Sequence, residues 1–179
     1  MSKQWKKLSS KKVYENPWMK VFEDDVVGPD GKKSIYGYID KPHYVLAIPI
    51  YKKKFYLVEQ YRYPVQERGI EFPQGGNENG REPQEQVKIE LQEETGLITK
   101  KIKKLGFLWL SNGHSTQGFY IYLIHCKKKG KTNFEGTEAD MKIKKYSKKK
   151  LEKMLADGTI KDSPTVAAYG LYLLKKKRT

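Results

Sequence analysis

The chain has a single cysteine, Cys126, so no disulfide can form within it. That points to a reducing compartment. Long apolar runs are missing as well: no stretch approaches the roughly 20 residues that a membrane-spanning helix needs. The opening residues MSKQWKK carry none of the apolar core that secretory signals use. A cytoplasmic protein with no membrane partner is therefore expected. Acidic residues are scarce, at 21 against 36 Lys and Arg, for a formal net charge of +15. Such a charge favours polyanions in general: nucleotides, nucleic acid or an anionic membrane. Much of the excess, however, lies in the lysine runs 52–54, 127–129, 148–150 and 175–177. These also read as solvated strand ends, loops and a tail. Few aromatics interrupt them and no RNA-binding signature is present, so a nucleic-acid partner is not expected.

What the chain does have is aromatic bulk: 13 Tyr, 6 Phe and 3 Trp among 179 residues. These supply large buried area to an otherwise polar composition. The length suits one domain, or a core with a small appended sheet. The patterning predicts an opening hairpin or meander over 10–40, turning at Gly28-Pro29-Asp30-Gly31. Strands follow over 43–50, 54–61, 69–73, 102–110, 118–126 and 141–146. The near-continuous apolar runs 43–50 and 54–61 suggest burial on both faces. Helices are expected over 83–95, 147–156 and 164–175, with a polar loop over 127–140. Pro83 suits a first helical turn and Gly96 a C-terminal stop. Asp162-Ser163-Pro164 reads as a cap for the last helix. Mixed strands and helices give an α+β or α/β sandwich.

The residues that carry chemistry lie in GGNENGREPQEQVKIELQEETGL, from Gly75 to Leu97. A glycine-rich loop leads into one helix. Glu90, Glu93 and Glu94 stand at i, i+3 and i+4, so their carboxylates share a face. They repel one another near a helix end that already carries partial negative charge. A divalent cation relieves both effects, and an oxygen-rich cluster suits Mg²⁺ or Mn²⁺. The bland alternative is a solvated acidic face. Val87 and Leu91 face the core.

This stretch resembles the box of the Nudix hydrolases: Gly, five residues, Glu, seven residues, then Arg-Glu-aliphatic-any-Glu-Glu-any-Gly-aliphatic. With Gly75 as its first glycine, Glu90, Leu91, Glu93, Glu94, Gly96 and Leu97 all fit. Arg81 stands where the box has Glu, and Ile89 where it has Arg. The likeness extends to both sides. LVEQYRYP from Leu57 to Pro64 and IEFP from Ile70 to Pro73 are similar to the segment before the box in the ADP-ribose pyrophosphatase branch. Val13 to Val21 resembles that branch's N-terminal sheet, and Gly158 to Ala168 the start of its final helix.

The resemblance implies an α/β/α Nudix sandwich with a mixed sheet over 42–179, and an N-terminal antiparallel β-sheet extension over 1–41. It implies a homodimer and hydrolysis of the pyrophosphate bond in ADP-ribose or a related nucleoside diphosphate sugar. Glu90, Glu93 and Glu94 would hold Mg²⁺ or Mn²⁺, together with the backbone carbonyl of Gln74. Glu138, with Glu135 second, would supply the general base from its loop, and Glu93 would also take part in catalysis. Arg62 would grip the diphosphate; the bland alternative is a surface salt bridge. Trp18, Tyr36 and Tyr38 are candidate platforms for a base, lent across the dimer. His114 lies in a loop near the family's site, and Gln117 stands where many relatives carry Glu. With Arg81, Ile89 and Gln117 altered together, metal binding is expected to survive with weaker preorganisation. Two alternatives follow. FPQGG from Phe72 to Gly76 and the net charge suit an RNA 5′-end or dinucleoside polyphosphate hydrolase. Arg81 and Ile89 suit a catalytically weak nucleotide-binding protein.

Overall fold

The computed structural model describes residues 4–76, 80–134 and 139–176. Two compact units divide the chain: Met1–His43 with Trp109–Gly118, and Tyr44–Leu108 with Phe119–Thr179.

The first unit is a three-stranded antiparallel sheet. Its strands are β1 (Lys6–Asn16), β2 (Met19–Val27) and β3 (Lys33–Asp40), in the order β1-β2-β3. The turn expected at Gly28–Gly31 closes with a Gly31 N–H to Gly28 carbonyl bond of 2.9 Å. A loop segment from the middle of the chain joins this sheet. Ile39 donates to the His114 carbonyl at 2.9 Å, and Thr116 donates to the Ile39 carbonyl at 2.9 Å. Much apolar surface stays uncovered here: Trp5, Leu8, Val13, Trp18 and Ile35 are all exposed.

The second unit is built on β4 (Tyr44–Tyr51) and β5 (Lys54–Arg62). The lysine turn between them places Lys52 and Lys53 at φ 48° and 62°. The sheet runs β10-β5-β4-β9-β8, where β8 is Leu97–Trp109, β9 is Gly118–Lys129 and β10 is Lys142–Tyr146. β6 (Glu67–Glu71) pairs with β5, and β7 (Gln74–Gly76) with β4. β4 runs parallel to β9 and antiparallel to β5, so the sheet is mixed, as expected. Because side chains alternate along a strand, β4 serves two cores. Val45 and Ala47 pack with Val87 and Leu91 of α1 (Pro83–Thr95). Leu46 and Ile48 pack on the other face with α2 (Lys148–Ala156) and α3 (Ser163–Lys176), through Leu151, Met154, Ala168 and Tyr169. All four β4 side chains are 0% exposed, and each large one contributes about 1.5–3 kcal/mol by leaving water.

Helix ends follow their residues. Pro83 occupies the first turn of α1, and Gly96 closes it at φ 69° with its N–H on the Gln92 carbonyl. Asp162 Oδ2 accepts the Thr165 N–H at 2.9 Å and caps α3. Several elements depart from the sequence reading. Residues 74–76, read as part of a glycine loop, form β7, because Val45 and Leu46 offer them ladder partners. β8 starts at Leu97 rather than 102, and β9 runs to Lys129 rather than 126. Lysines at exposed positions along both strands obscure the apolar alternation there. No helix among the described residues is long and apolar enough to cross a membrane.

At Gly96 a Cβ would stand 2.7 Å from the Gly130 carbonyl oxygen, in a left-handed backbone. Gly96→Ala is therefore expected to lower stability by about 1–3 kcal/mol, read as a fall in the urea midpoint. Burial pushes the Cys126 thiol up to about 12. The thiolate fraction at pH 8 is then about 10⁻⁴, so a thiol reagent should modify the folded protein far more slowly than the unfolded chain.

Candidate active site

A buried carboxylate organises one corner of the second unit. Glu71, at the end of β6, is 2% exposed. Antiparallel pairing with β5 sets Glu71 opposite Val58, beside Gln60 and Arg62. Glu71 accepts bonds from Gln60 Nε2 at 2.6 Å, Arg62 Nη2 at 2.8 Å and Gln74 Nε2 at 2.6 Å. A carboxyl group this deep needs that compensation. The same bonds orient Arg62, whose side chain remains 44% exposed. Desolvation alone would lower the guanidinium's pKa. The bond and charge of Glu71, then the charges of Asp162 and Glu94, outweigh it and leave the pKa raised. Arg62 does form a salt bridge, but with a buried anchor, and a guanidinium has five donors to offer.

Tyr44 opens β4 opposite Gly76 and stacks on Phe119 at 5.1 Å. Burial raises its phenol pKa strongly, and the charges of Asp162 and Glu71 raise it further. Tyr44 therefore stays a neutral hydroxyl beside the Glu71 cluster.

The glutamate helix meets this corner through β7. A Cβ on Gly75 would stand 2.1 Å from the Glu90 carboxyl, so the carboxylate occupies the room that a side chain there would fill. Gln86 Nε2 donates to Glu90 Oε1 at 2.7 Å, and Arg81 Nη1 donates to Gln86 Oε1 at 3.3 Å. Arg81 thus reaches toward Glu90 through Gln86. Ile89 is half-buried and has no side-chain group that can hydrogen-bond. Glu94 is 1% exposed, and its charge acts on Arg62. Glu93 is half-buried, and its backbone carbonyl accepts the Asn133 N–H at 3.0 Å.

Among the described residues, no three His, Cys, Asp or Glu side chains stand close enough together to hold a metal by themselves. Glu90 lies over Gly75, and Glu94 is buried with its charge acting on Arg62. The donors present nevertheless suit Mg²⁺, which takes one or two carboxylates and completes its shell with water and substrate phosphates. All are hard oxygen donors, and the Gly75 cradle leaves Glu90 unobstructed by a side chain.

Other expected residues fall elsewhere. Glu138 and Glu135 lie outside the described residues. Beyond them, Arg68 ties Asp140 to the β5–β6 hairpin through a carboxylate bond, a 3.1 Å bond to the Asp140 carbonyl and a 3.1 Å bond to Glu59. In the first unit Trp18 is 64% exposed, while Tyr36 donates to the Gly113 carbonyl at 2.6 Å and packs edge-on against Trp5. Tyr38 stacks on Phe22 at 5.5 Å. His114 contacts Ser111 within its turn. Gln117 donates to the Pro42 carbonyl at 2.9 Å and so braces its own loop.

Residues 41–167 match the family model of the NUDIX domain. The chain belongs to the Nudix family. Residues 5–39 match the nucleoside diphosphate sugar hydrolase N-terminal domain. Among curated relatives, the ADP-ribose pyrophosphatase of Bacillus subtilis (strain 168) is 28% identical over 119 residues, 66% of this chain and 64% of that protein. The methanol dehydrogenase activator of Bacillus methanolicus is 31% identical over 121 residues, 67% of this chain and 63% of that protein. The chain thus spans slightly under two thirds of each relative's length. The crystal structure of an ADP compounds hydrolase shares the fold at TM-score 0.82 and 18% identity, covering 97% of this chain and 93% of that one.

Glu71 and Tyr44 escaped the sequence reading. The signal for Glu71 was an acid between two apolar residues in Ile70-Glu71-Phe72. Glu71→Ala would strand Arg62, Gln60 and Gln74 at once. Because the Arg62 left behind is half-exposed and can be solvated, the cost is expected to be about 1–3 kcal/mol, from the buried amides left unpaired, measured by urea unfolding.

Proposed function

We propose that this chain is a divalent-metal-dependent Nudix pyrophosphatase acting on ADP-ribose or a related nucleoside diphosphate sugar. The observation that carries this reading is Arg62, fixed by buried Glu71 and open to solvent, in the corner where Glu90 lies over Gly75. The family membership and the N-terminal match support the same substrate class.

In this reading Arg62 binds diphosphate oxygens with the donors Glu71 leaves available. Glu90, Glu93, Glu94 and the Gln74 carbonyl hold Mg²⁺ or Mn²⁺. The bound cation would neutralise the diphosphate and acidify a coordinated water. Glu138 takes the proton of the attacking water, with Glu93 assisting from the helix. The water oxygen joins one phosphorus, the bridging P–O bond breaks, and two phosphomonoesters leave. Tyr44, kept neutral, is placed to donate a hydrogen bond rather than to repel an anion. Arg68 fastens Asp140, two residues after Glu138 in the chain. Trp18 and Tyr36 recognise the base through a second copy of the chain in a homodimer. A dimer would also cover the exposed apolar residues of β1 and β3.

The Arg81–Gln86–Glu90 relay takes over the orienting task that the box assigns to its arginine. This favours turnover over the alternative of a binding-only Nudix protein.

A panel of nucleoside diphosphate compounds, assayed with and without Mg²⁺, should show metal-dependent release of two phosphomonoesters from ADP-ribose or a close analogue. No turnover by folded protein would remove the proposal. Tight ADP-ribose binding without hydrolysis would select the binding-only reading, and preference for triphosphorylated RNA the RNA-end reading. Glu94→Gln should lower kcat by about hundredfold or more. Gln86→Ala, which breaks the relay, should weaken metal affinity or activity by about 10–100-fold. Steady-state kinetics over a Mg²⁺ titration separates these two effects.

A further inference from the structure

A cavity of about 390 Å³ opens in the second unit between the β4–β5 turn, β8, β9 and the ends of α2 and α3. Its size falls within the range of small-molecule sites, roughly 300–1,000 Å³. It lies far from the candidate active site. Ile50 lines it, six residues along β4 from the Tyr44–Gly76 pair, which is about 20 Å of strand. Phe55 lines it too, seven residues along β5 from Arg62.

Its lining divides in two. Lys53, Lys103, Lys148, Lys175 and Lys176 contribute five cations, with exposed His125 among them. No acidic residue lines the cavity among the described residues. Lys148 lies 3.5 Å from Glu152, and Lys176 sits over the Tyr172 ring at 5.9 Å. The floor is apolar: Phe55 and Leu105 are each 3% exposed and Tyr172 is 7% exposed. Phe55 and Tyr172 meet edge to face at 5.8 Å.

We propose that this cavity is a second, non-catalytic binding site for a small organic phosphate with an apolar body. Five cations gathered without a lining carboxylate favour a dianionic head over a monocarboxylate, and lysine binds phosphate as a point charge. The apolar floor lies at the bottom of a concavity, so it rewards a ligand that enters. An RNA backbone or a membrane surface would use the lysine rim and leave the floor empty. The inference does not depend on the proposed pyrophosphatase activity.

Isothermal titration of the full chain with 1-naphthyl phosphate tests it, alongside inorganic phosphate and 1-naphthol. Saturable binding at one site, at least about tenfold tighter than either fragment, is expected. It should persist in Glu94→Gln and fall by at least about tenfold in Lys103→Glu/Lys148→Glu. Lys103→Arg/Lys148→Arg should retain it. If the double Glu variant does not fold, NMR of the wild type substitutes: the Phe55 and Tyr172 ring signals should shift on titration. Unchanged affinity in a folded double Glu variant would overturn the proposal, as would inorganic phosphate binding as tightly as naphthyl phosphate. Displacement of naphthyl phosphate by phosphatidylserine vesicles or single-stranded RNA, bound more tightly at the same lysines, would replace the small-molecule reading. Unshifted ring signals would also overturn it.

Discussion

One buried carboxylate holds the candidate site together. Glu71 sits where an unpaired charge would be severely penalised, and Gln60, Arg62 and Gln74 answer it from three directions. Each bond does a second job. The Gln60 bond braces the β5–β6 pairing. The Gln74 bond ties β7, and through it Gly75 and Glu90, to the same anchor. The Arg62 bond aims a cation outward without letting it swing.

The two-faced packing of β4 makes that anchor possible. Because Val45 and Ala47 serve α1 while Leu46 and Ile48 serve α2 and α3, the central strand is sealed on both sides. Its ends then differ in chemistry. At the Tyr44 end the sheet meets the carboxylates, Arg62 and a phenol kept neutral by burial. At the Ile50 end it meets lysines over an aromatic floor. One strand thus separates the proposed metal and diphosphate site from the proposed site for an organic phosphate.

Helix α1 was legible because its determinants are local. Pro83 starts it, Gly96 stops it, and Val87 and Leu91 mark its inner face. The same holds for Asp162 at the start of α3 and for the unbroken apolar runs of β4 and β5. β7 was not legible: three residues with two glycines have no strand signal until Val45 and Leu46 supply partners. Helical spacing placed Glu90, Glu93 and Glu94 on one arc, but could not show that Glu90 would lie over Gly75 or that Glu94 would be buried. Arg81 was flagged as a departure from the family box. That it works through Gln86 depends on a side-chain path no spacing rule describes.

By itself, then, the sequence determined the family, the mixed-sheet fold class and the carboxylate helix. Those features follow from periodicity, caps and a motif, all of which act within a few residues. Only the tertiary structure decided that Glu71 anchors Arg62, that Gln86 links Arg81 to Glu90, and that lysines from four separate segments surround one apolar hollow. Each of these joins residues distant in sequence or set by side-chain direction. Their free energy comes from burial and pairing that exist only once the sheet has closed.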